Sequence, residues 1–172
     1  MKNITTRDLA LCAMMTAVIF VFTYMFKIPI PNGYIHLGDC FIFIAVLLLG
    51  RRKGSIAGAL GAALADLTGG YMMWILPTFV IKAVMAYVMG SITEIFMKNA
   101  RNGFIVGALA GGCVQVVLYT AMNMILFGTS YAVVSCVSDI VQTTAAVASV
   151  TVIFPLLKRT SIYTSIKSSN KK

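Results

Sequence analysis

Residues 37–68 read LGDCFIFIAVLLLGRRKGSIAGALGAALADLT, two apolar runs parted by Arg51-Arg52-Lys53. Three cations in the middle of a single span would cost several kcal/mol in the bilayer core. The stretch is therefore read as a hairpin of two short membrane helices, about 37–50 and 54–68, with its basic turn at the cytoplasmic surface. Helices this short imply local bilayer thinning or snorkelling at their ends.

Fixing that turn on one side of the membrane orients the rest. The chain has 14 Lys and Arg, and they fall almost entirely in alternate gaps between apolar runs. Lys2 and Arg7 precede the first run, and Lys98 and Arg101 follow the fourth. Lys158, Arg159, Lys167, Lys171 and Lys172 follow the last. The gaps between hold only Lys27. This is the positive-inside pattern of a multi-pass membrane protein. It predicts an all-α bundle of six transmembrane helices, at about 9–26, 37–50, 54–68, 74–96, 104–127 and 132–157, with both termini cytoplasmic. All six form a single membrane domain over residues 1–172, and residues 158–172 read as a basic cytoplasmic tail that frays.

Composition agrees. Hydrophobic residues make up 59% of the chain and charged residues 11%, against roughly 25% charged in soluble domains. The net charge of +9 is accounted for by loops and tail facing anionic headgroups, so no nucleic acid is expected as a partner. The first run is long for a signal peptide, and Lys27-Ile-Pro-Ile-Pro offers no small-residue cleavage site. It is read as a retained span. Its two prolines and Asn-Gly end the helix and form a first outer loop. Cys12, Cys40, Cys113 and Cys136 are scattered within apolar runs and suggest neither a disulfide framework nor a metal site. His36 has no second His or Cys at ligand spacing. No cofactor or metal is expected.

Polar residues inside spans are where function is sought. Asp39, Asp66, Lys82 and Asp139 all fall in the outer halves of their helices. Asp66 and Lys82 flank the same outer loop and are expected to meet, either as a structural ion pair or as a ligand contact tuned by the carboxylate. Gly107, Gly111, Gln115, Tyr119 and Asn123 recur every fourth residue and share one helix face. Polar side chains facing lipid would lack partners, so this face turns inward. It serves either interhelical hydrogen bonding or one wall of an outward-facing pocket. Ser135, Asp139, Gln142 and Thr143 share a face of the sixth span. Tyr34, His36, Tyr71 and Trp74 form either an aromatic lid or an interfacial belt. Ala10, Ala13 and Ala17 make a small-residue face on the first span, suited to close helix approach within the bundle or to docking of another subunit. There is no G-x-x-x-x-G-K-S/T, H-E-x-x-H or G-x-S-x-G. No catalytic residue is assigned, and no enzymatic activity is expected.

In order along the chain, His36-Leu-Gly-Asp39, Leu49-Gly50, Gly58-Ala-Leu-Gly-Ala-Ala-Leu-Ala-Asp66, Tyr71 and Pro77-Thr78-Phe-Val-Ile-Lys82 resemble the substrate-binding S components of energy-coupling factor (ECF) vitamin transporters. The nearest likeness is to the riboflavin-type branch, with its hydroxymethylpyrimidine- and pyridoxine-type members. The resemblance covers nearly the whole chain. It implies a similar six-helix bundle that binds one vitamin near the outer face. It also implies docking, through the Ala13-xxx-Ala17 face, on a transmembrane T subunit driven by two ATPase subunits. The family's pocket uses the first outer loop and spans four to six. The candidate binding set is Tyr34, His36, Asp39, Trp74, Thr78, Lys82, Gln115, Tyr119, Asn123, Asp139 and Gln142. The expected location is a bacterial cell membrane. An autonomous proton-coupled transporter and a ligand-free assembly protein are the rival readings. A pyridine or pyrimidine ring fits the mixed amide, tyrosine and charged set, and riboflavin and pantothenate remain compatible.

Overall fold

The structure is a computed structural model that describes residues 5–30, 33–100 and 102–169. Lys2, Pro31, Asn32, Arg101, Lys171 and Lys172, used in reading the loops and tail, lie outside the described residues. Helix α1, Thr6–Met25, opens on a capping box. The Asp8 amide donates to Thr5 Oγ1 at 3.2 Å and the Thr5 amide donates to Asp8 Oδ2 at 3.2 Å. The first outer loop is an antiparallel hairpin of β1, Lys27–Ile30, and β2, Gly33–His36, with Lys27 opposite His36.

Helix α2, Gly38–Leu49, is apolar on all sides apart from Asp39 in its first turn, and every residue in it but Phe41 is buried. Such a helix belongs at the centre of a bundle, and the other helices pack around it. It shares one apolar core with Ile19 of α1, Ala57 and Ala62 of α3, Met85 and Met89 of α4, Ala108 of α5 and Val150 of α6. At 12 residues it is about 18 Å long, short of the roughly 30 Å hydrocarbon core.

The turn after α2 differs from expectation. It is made by Gly50 alone, at φ 87°, and helix α3, Arg51–Gly69, begins at once. The three cations therefore occupy the first turn of α3 instead of forming the loop. A helix N-terminus disfavours cations, and two of the chain's five acids offset this. Glu94 accepts the Arg51 amide at 2.8 Å, capping α3 from a distant segment, and Asp8 pairs with Lys53 at 2.5 Å. A single residue suffices for the turn because glycine adopts positive φ without strain.

Directly after this turn the two helices touch. A Cβ on Gly54 would lie 2.5 Å from Val46 Cα and 2.7 Å from its nitrogen, with no flexible side chain to give way. Gly54→Val is expected to part the α2–α3 pair and cost about 1–3 kcal/mol, seen as a lowered melting temperature in detergent. A wild-type melting curve would show that the contact is not tight.

Helix α3 ends at Gly70, φ 81°, where the Tyr71 amide donates to the Asp66 carbonyl at 2.9 Å in a Schellman-type cap. A 3-10 turn, Met72–Trp74, leads into α4, Ile75–Ser91, which runs on into a π turn, Ile92–Phe96. Helices α5, Gly103–Phe127, and α6, Thr129–Leu157, complete the bundle, joined by Gly128. Among the described residues, four helical segments are long and apolar enough to cross a membrane: Thr6–Met25, Met72–Phe96, Gly103–Phe127 and Thr129–Leu157. Their outer faces carry exposed Val117, Ile125, Val133, Val137 and Ile140, which suits lipid as the solvent.

The frayed tail is also corrected. Ser161–Ser169 forms helix α7, folded back on the bundle. Ile166 is buried, Tyr163 packs edge-on against Phe154 at 6.0 Å, and Arg7 Nη2 donates to Ser165 Oγ at 3.1 Å. Tyr163 and Ile166 seat α7 on the core, which the basic and hydroxyl composition of the tail obscured.

Candidate ligand-binding site

The β1–β2 hairpin lies over one end of the bundle and closes a chamber between α3, α4, α5 and α6. Tyr34 and His36 face it from the hairpin, Asp66 from α3, and Trp74 and Thr78 from the start of α4. Tyr119 and Asn123 face it from α5, and Tyr131, Ser135, Asp139 and Gln142 from α6. The i, i+4 spacing places the polar side chains of α5 and α6 on facing sides. Toward the other end of α5, a Cβ on Gly107 or Gly111 would meet the carbonyls of Met89 or Met85 at 2.7 Å, so this part of the stripe packs against α4 without space.

Beneath the chamber is a closed polar network. Lys82 Nζ donates to Asp39 Oδ1 at 2.5 Å and to Gln115 Oε1 at 2.7 Å. Gln115 Nε2 and Gln142 Nε2 donate to Asp39 Oδ2 at 3.0 and 2.7 Å. Lys82 is 0% exposed and Asp39 1%, so charge compensation has to be internal. Gln142 also accepts the His36 amide at 3.1 Å, which ties the hairpin to the network. This revises two expectations. The Asp66–Lys82 ion pair does not form, because Lys82 pairs with Asp39; Asp66 instead accepts the Tyr34 hydroxyl at 2.6 Å and faces the chamber. Asp39, Lys82 and Gln115, expected in the binding set, are spent on one another below the chamber.

The remaining expected residues, Tyr34, His36, Trp74, Thr78, Tyr119, Asn123, Asp139 and Gln142, all line the chamber. The Trp74 and Tyr119 rings lie 5.9 Å apart at 51°, and Tyr119 donates to Thr78 Oγ1 at 3.3 Å. Asn123 Nδ2 donates to Ser135 Oγ at 2.7 Å, and Ser135 donates to Asp139 Oδ2 at 3.5 Å. His36 Nδ1 accepts the Gly38 amide at 3.0 Å, and burial pushes its imidazole down to about 4, so the ring is neutral near pH 7. Tyr71 packs on Tyr34 at 4.9 Å behind the wall. Sequence reasoning left Tyr131 out of the wall. It lies four residues before Ser135 and eight before Asp139, so the face periodicity already marked it.

On α1, Met15, Ile19 and Thr23 are buried, whereas Ala10, Ala13 and Ala17 are exposed. The alanine face therefore takes no part in packing the bundle.

A helical membrane bundle with a polar, aromatic-lined chamber under a hairpin defines a membrane-embedded substrate-binding protein. The family described as ECF-type riboflavin transporter, S component, matches residues 3–162, and the chain belongs to that family. It is 28% identical over 172 residues, 98% of each chain, to the thiamine precursor transporter HmpT of Lactococcus lactis subsp. cremoris (strain MG1363). It is 36% identical over 131 residues, 74% of this chain and 85% of the other, to an uncharacterised protein of Pyrococcus woesei. The fold is similar to the solved structure reported as "Structure and mechanism of the S component of a bacterial ECF transporter", with TM-score 0.66, 21% identity and coverage of 89% of this chain and 94% of that one. The protein is thus a multi-pass membrane protein and the substrate-binding S component of an ECF transporter.

Proposed function

We propose that the chain captures a small water-soluble vitamin or vitamin precursor in the chamber and passes it inward within a complex of a T subunit and two ATPases, in a bacterial cell membrane. The chamber carries this reading. Polar and aromatic side chains from four elements converge on an open space, in a region where a membrane protein would otherwise pack apolar groups. The exposed alanine face supplies a surface for a partner helix. The chain itself performs no chemistry. Six spans with cytoplasmic termini follow if α2 and α3 cross as a short pair; the basic gaps support this and place the hairpin outside. The relative HmpT is a thiamine precursor transporter, which favours a single-ring ligand.

As it stands the chamber is smaller than any ring ligand. Its free volume is about 60 Å³, room for a few waters and well below the roughly 300 Å³ of a typical ligand site. A ring compound enters as the hairpin lifts or the aromatic walls rotate, and a single ring asks for less movement than a fused tricycle.

Asn123→Ala and Asp139→Ala are each expected to weaken vitamin binding by about 10-fold or more while leaving expression intact, as read by isothermal titration in detergent. Full affinity in both variants would place the site elsewhere. Liposomes holding this chain alone, under an imposed pH gradient, are expected to show no uptake. Robust uptake there would favour the autonomous proton-coupled transporter.

A further inference from the structure

A second cavity lies at the end of the bundle away from the hairpin. The hairpin leads into the start of α2, and this cavity reaches the last turns of that helix at Val46 and Leu47. Its free volume is about 360 Å³, larger than that of the chamber. Val46, Leu47 and Gly90 of α4 are buried, as are Phe104 of α5 and Phe154 of α6. With the Tyr163 ring of α7 they make a mostly apolar floor and wall.

The rim is charged. Lys98, just past the π turn, and Lys158, at the end of α6, line the cavity and are both exposed. Glu94 lines it too, but is engaged with Arg51: its Oε1 accepts the Arg51 amide at 2.8 Å, and its Oε2 lies 3.9 Å from Arg51 Nε. The other ion pairs among the described residues are Lys53–Asp8 and Lys82–Asp39, so neither Lys98 nor Lys158 is in a salt bridge there. Lys158 Nζ sits over the Phe154 ring at 4.6 Å and the Phe104 ring at 5.7 Å. Its stem thus follows the apolar floor while its charge stays at the opening.

A cationic rim over an apolar floor matches an amphiphile with an anionic head. Free phosphate would meet the lysines and leave the apolar floor wetted. A neutral apolar molecule would cover the floor and leave the lysines without a counter-charge. Under the orientation proposed above, this end faces the cytoplasmic leaflet, whose anionic headgroups attract lysines at the membrane surface.

We propose that this cavity seats an anionic phospholipid, its phosphate at Lys98 and Lys158 and the start of one acyl chain on Leu47, Phe104 and Phe154. Helix α7 supplies one wall, so the folding back of the tail completes the site. A lipid held there bridges α4, α5, α6 and α7 and stabilises the bundle by binding the folded state alone. The site is separate from the chamber, with which it shares no lining residue.

The test is native mass spectrometry of the delipidated full chain in detergent with equimolar phosphatidylglycerol and phosphatidylcholine, alongside thermal unfolding. Phosphatidylglycerol is expected to bind at least about 10-fold more tightly than phosphatidylcholine, as two lysines at a membrane surface allow, and to raise the melting temperature. Lys98→Gln combined with Lys158→Gln is expected to erase most of that preference while the lipid-free melting temperature stays near wild type. Lys98→Glu, which leaves Lys158 on its rings, is expected to reduce the preference by itself. Arg52→Gln removes an exposed cation that does not line the cavity and is expected to keep it. Equal binding of the two lipids overturns the proposal, as does a preference unchanged in the double variant and in Lys98→Glu. An equal loss in Arg52→Gln overturns it by showing diffuse surface attraction. Equal stabilisation by glycerol phosphate at the same concentration overturns a lipid as the source of the phosphate. Uptake lost in the double variant with its lipid preference intact assigns the rim to an acidic partner chain and overturns the proposal as well. None of these outcomes bears on the vitamin-binding reading, whose residues lie at the other end of the bundle.

Discussion

Lys82→Met is expected to destabilise the protein by about 3–5 kcal/mol, roughly 10 °C in melting temperature for a chain of this size. The substitution nearly preserves side-chain volume, so the loss is electrostatic. Asp39 would keep two amide donors, from Gln115 and Gln142, but lose its only cation at a site where it is 1% exposed. Gln115 Oε1 would lose its donor as well. Removing one partner of a buried pair costs far more than the pair contributes. Lys82→Met combined with Asp39→Leu is therefore expected to recover part of the loss, because no unpaired charge remains. Thermal unfolding in detergent reads both variants. A Lys82→Met protein melting with wild type would show that the network does not hold α2, α4, α5 and α6 together. The network also reaches the hairpin through Gln142 and His36, so ligand affinity is expected to fall in the same variant.

The other large effect separates binding from transport. Ala13→Trp and Ala17→Trp are expected to abolish uptake by the assembled transporter while leaving ligand affinity within about twofold of wild type. Both alanines are exposed on α1 and face away from the chamber's walls. A large ring there disturbs nothing inside the bundle but holds a partner helix off at the distance small residues allow. The measurements are uptake of labelled vitamin in cells expressing the whole complex, and titration of the isolated chain. Normal uptake in both variants would remove α1 as the docking face; lost binding would show that α1 supports the chamber.

The membrane character of the chain, the inward face of α5 and most of the chamber wall were legible in the amino-acid order. Each rests on periodicity within one segment: apolar runs long enough to need lipid, and Tyr119, Asn123, Ser135, Asp139 and Gln142 at helical spacing on polar faces. Those signals are local, so they survive without knowledge of what packs opposite. Only the tertiary structure decided what each charge meets. Depth along the chain put Lys82 level with Asp66, but the rotation of α4 about its axis turns Lys82 toward Asp39 on the central helix. The same holds for Glu94 capping α3 and for the seat of α7. Interhelical pairing depends on helix rotation and approach distance, which are fixed by the packing of all the elements together and leave no period in any one of them.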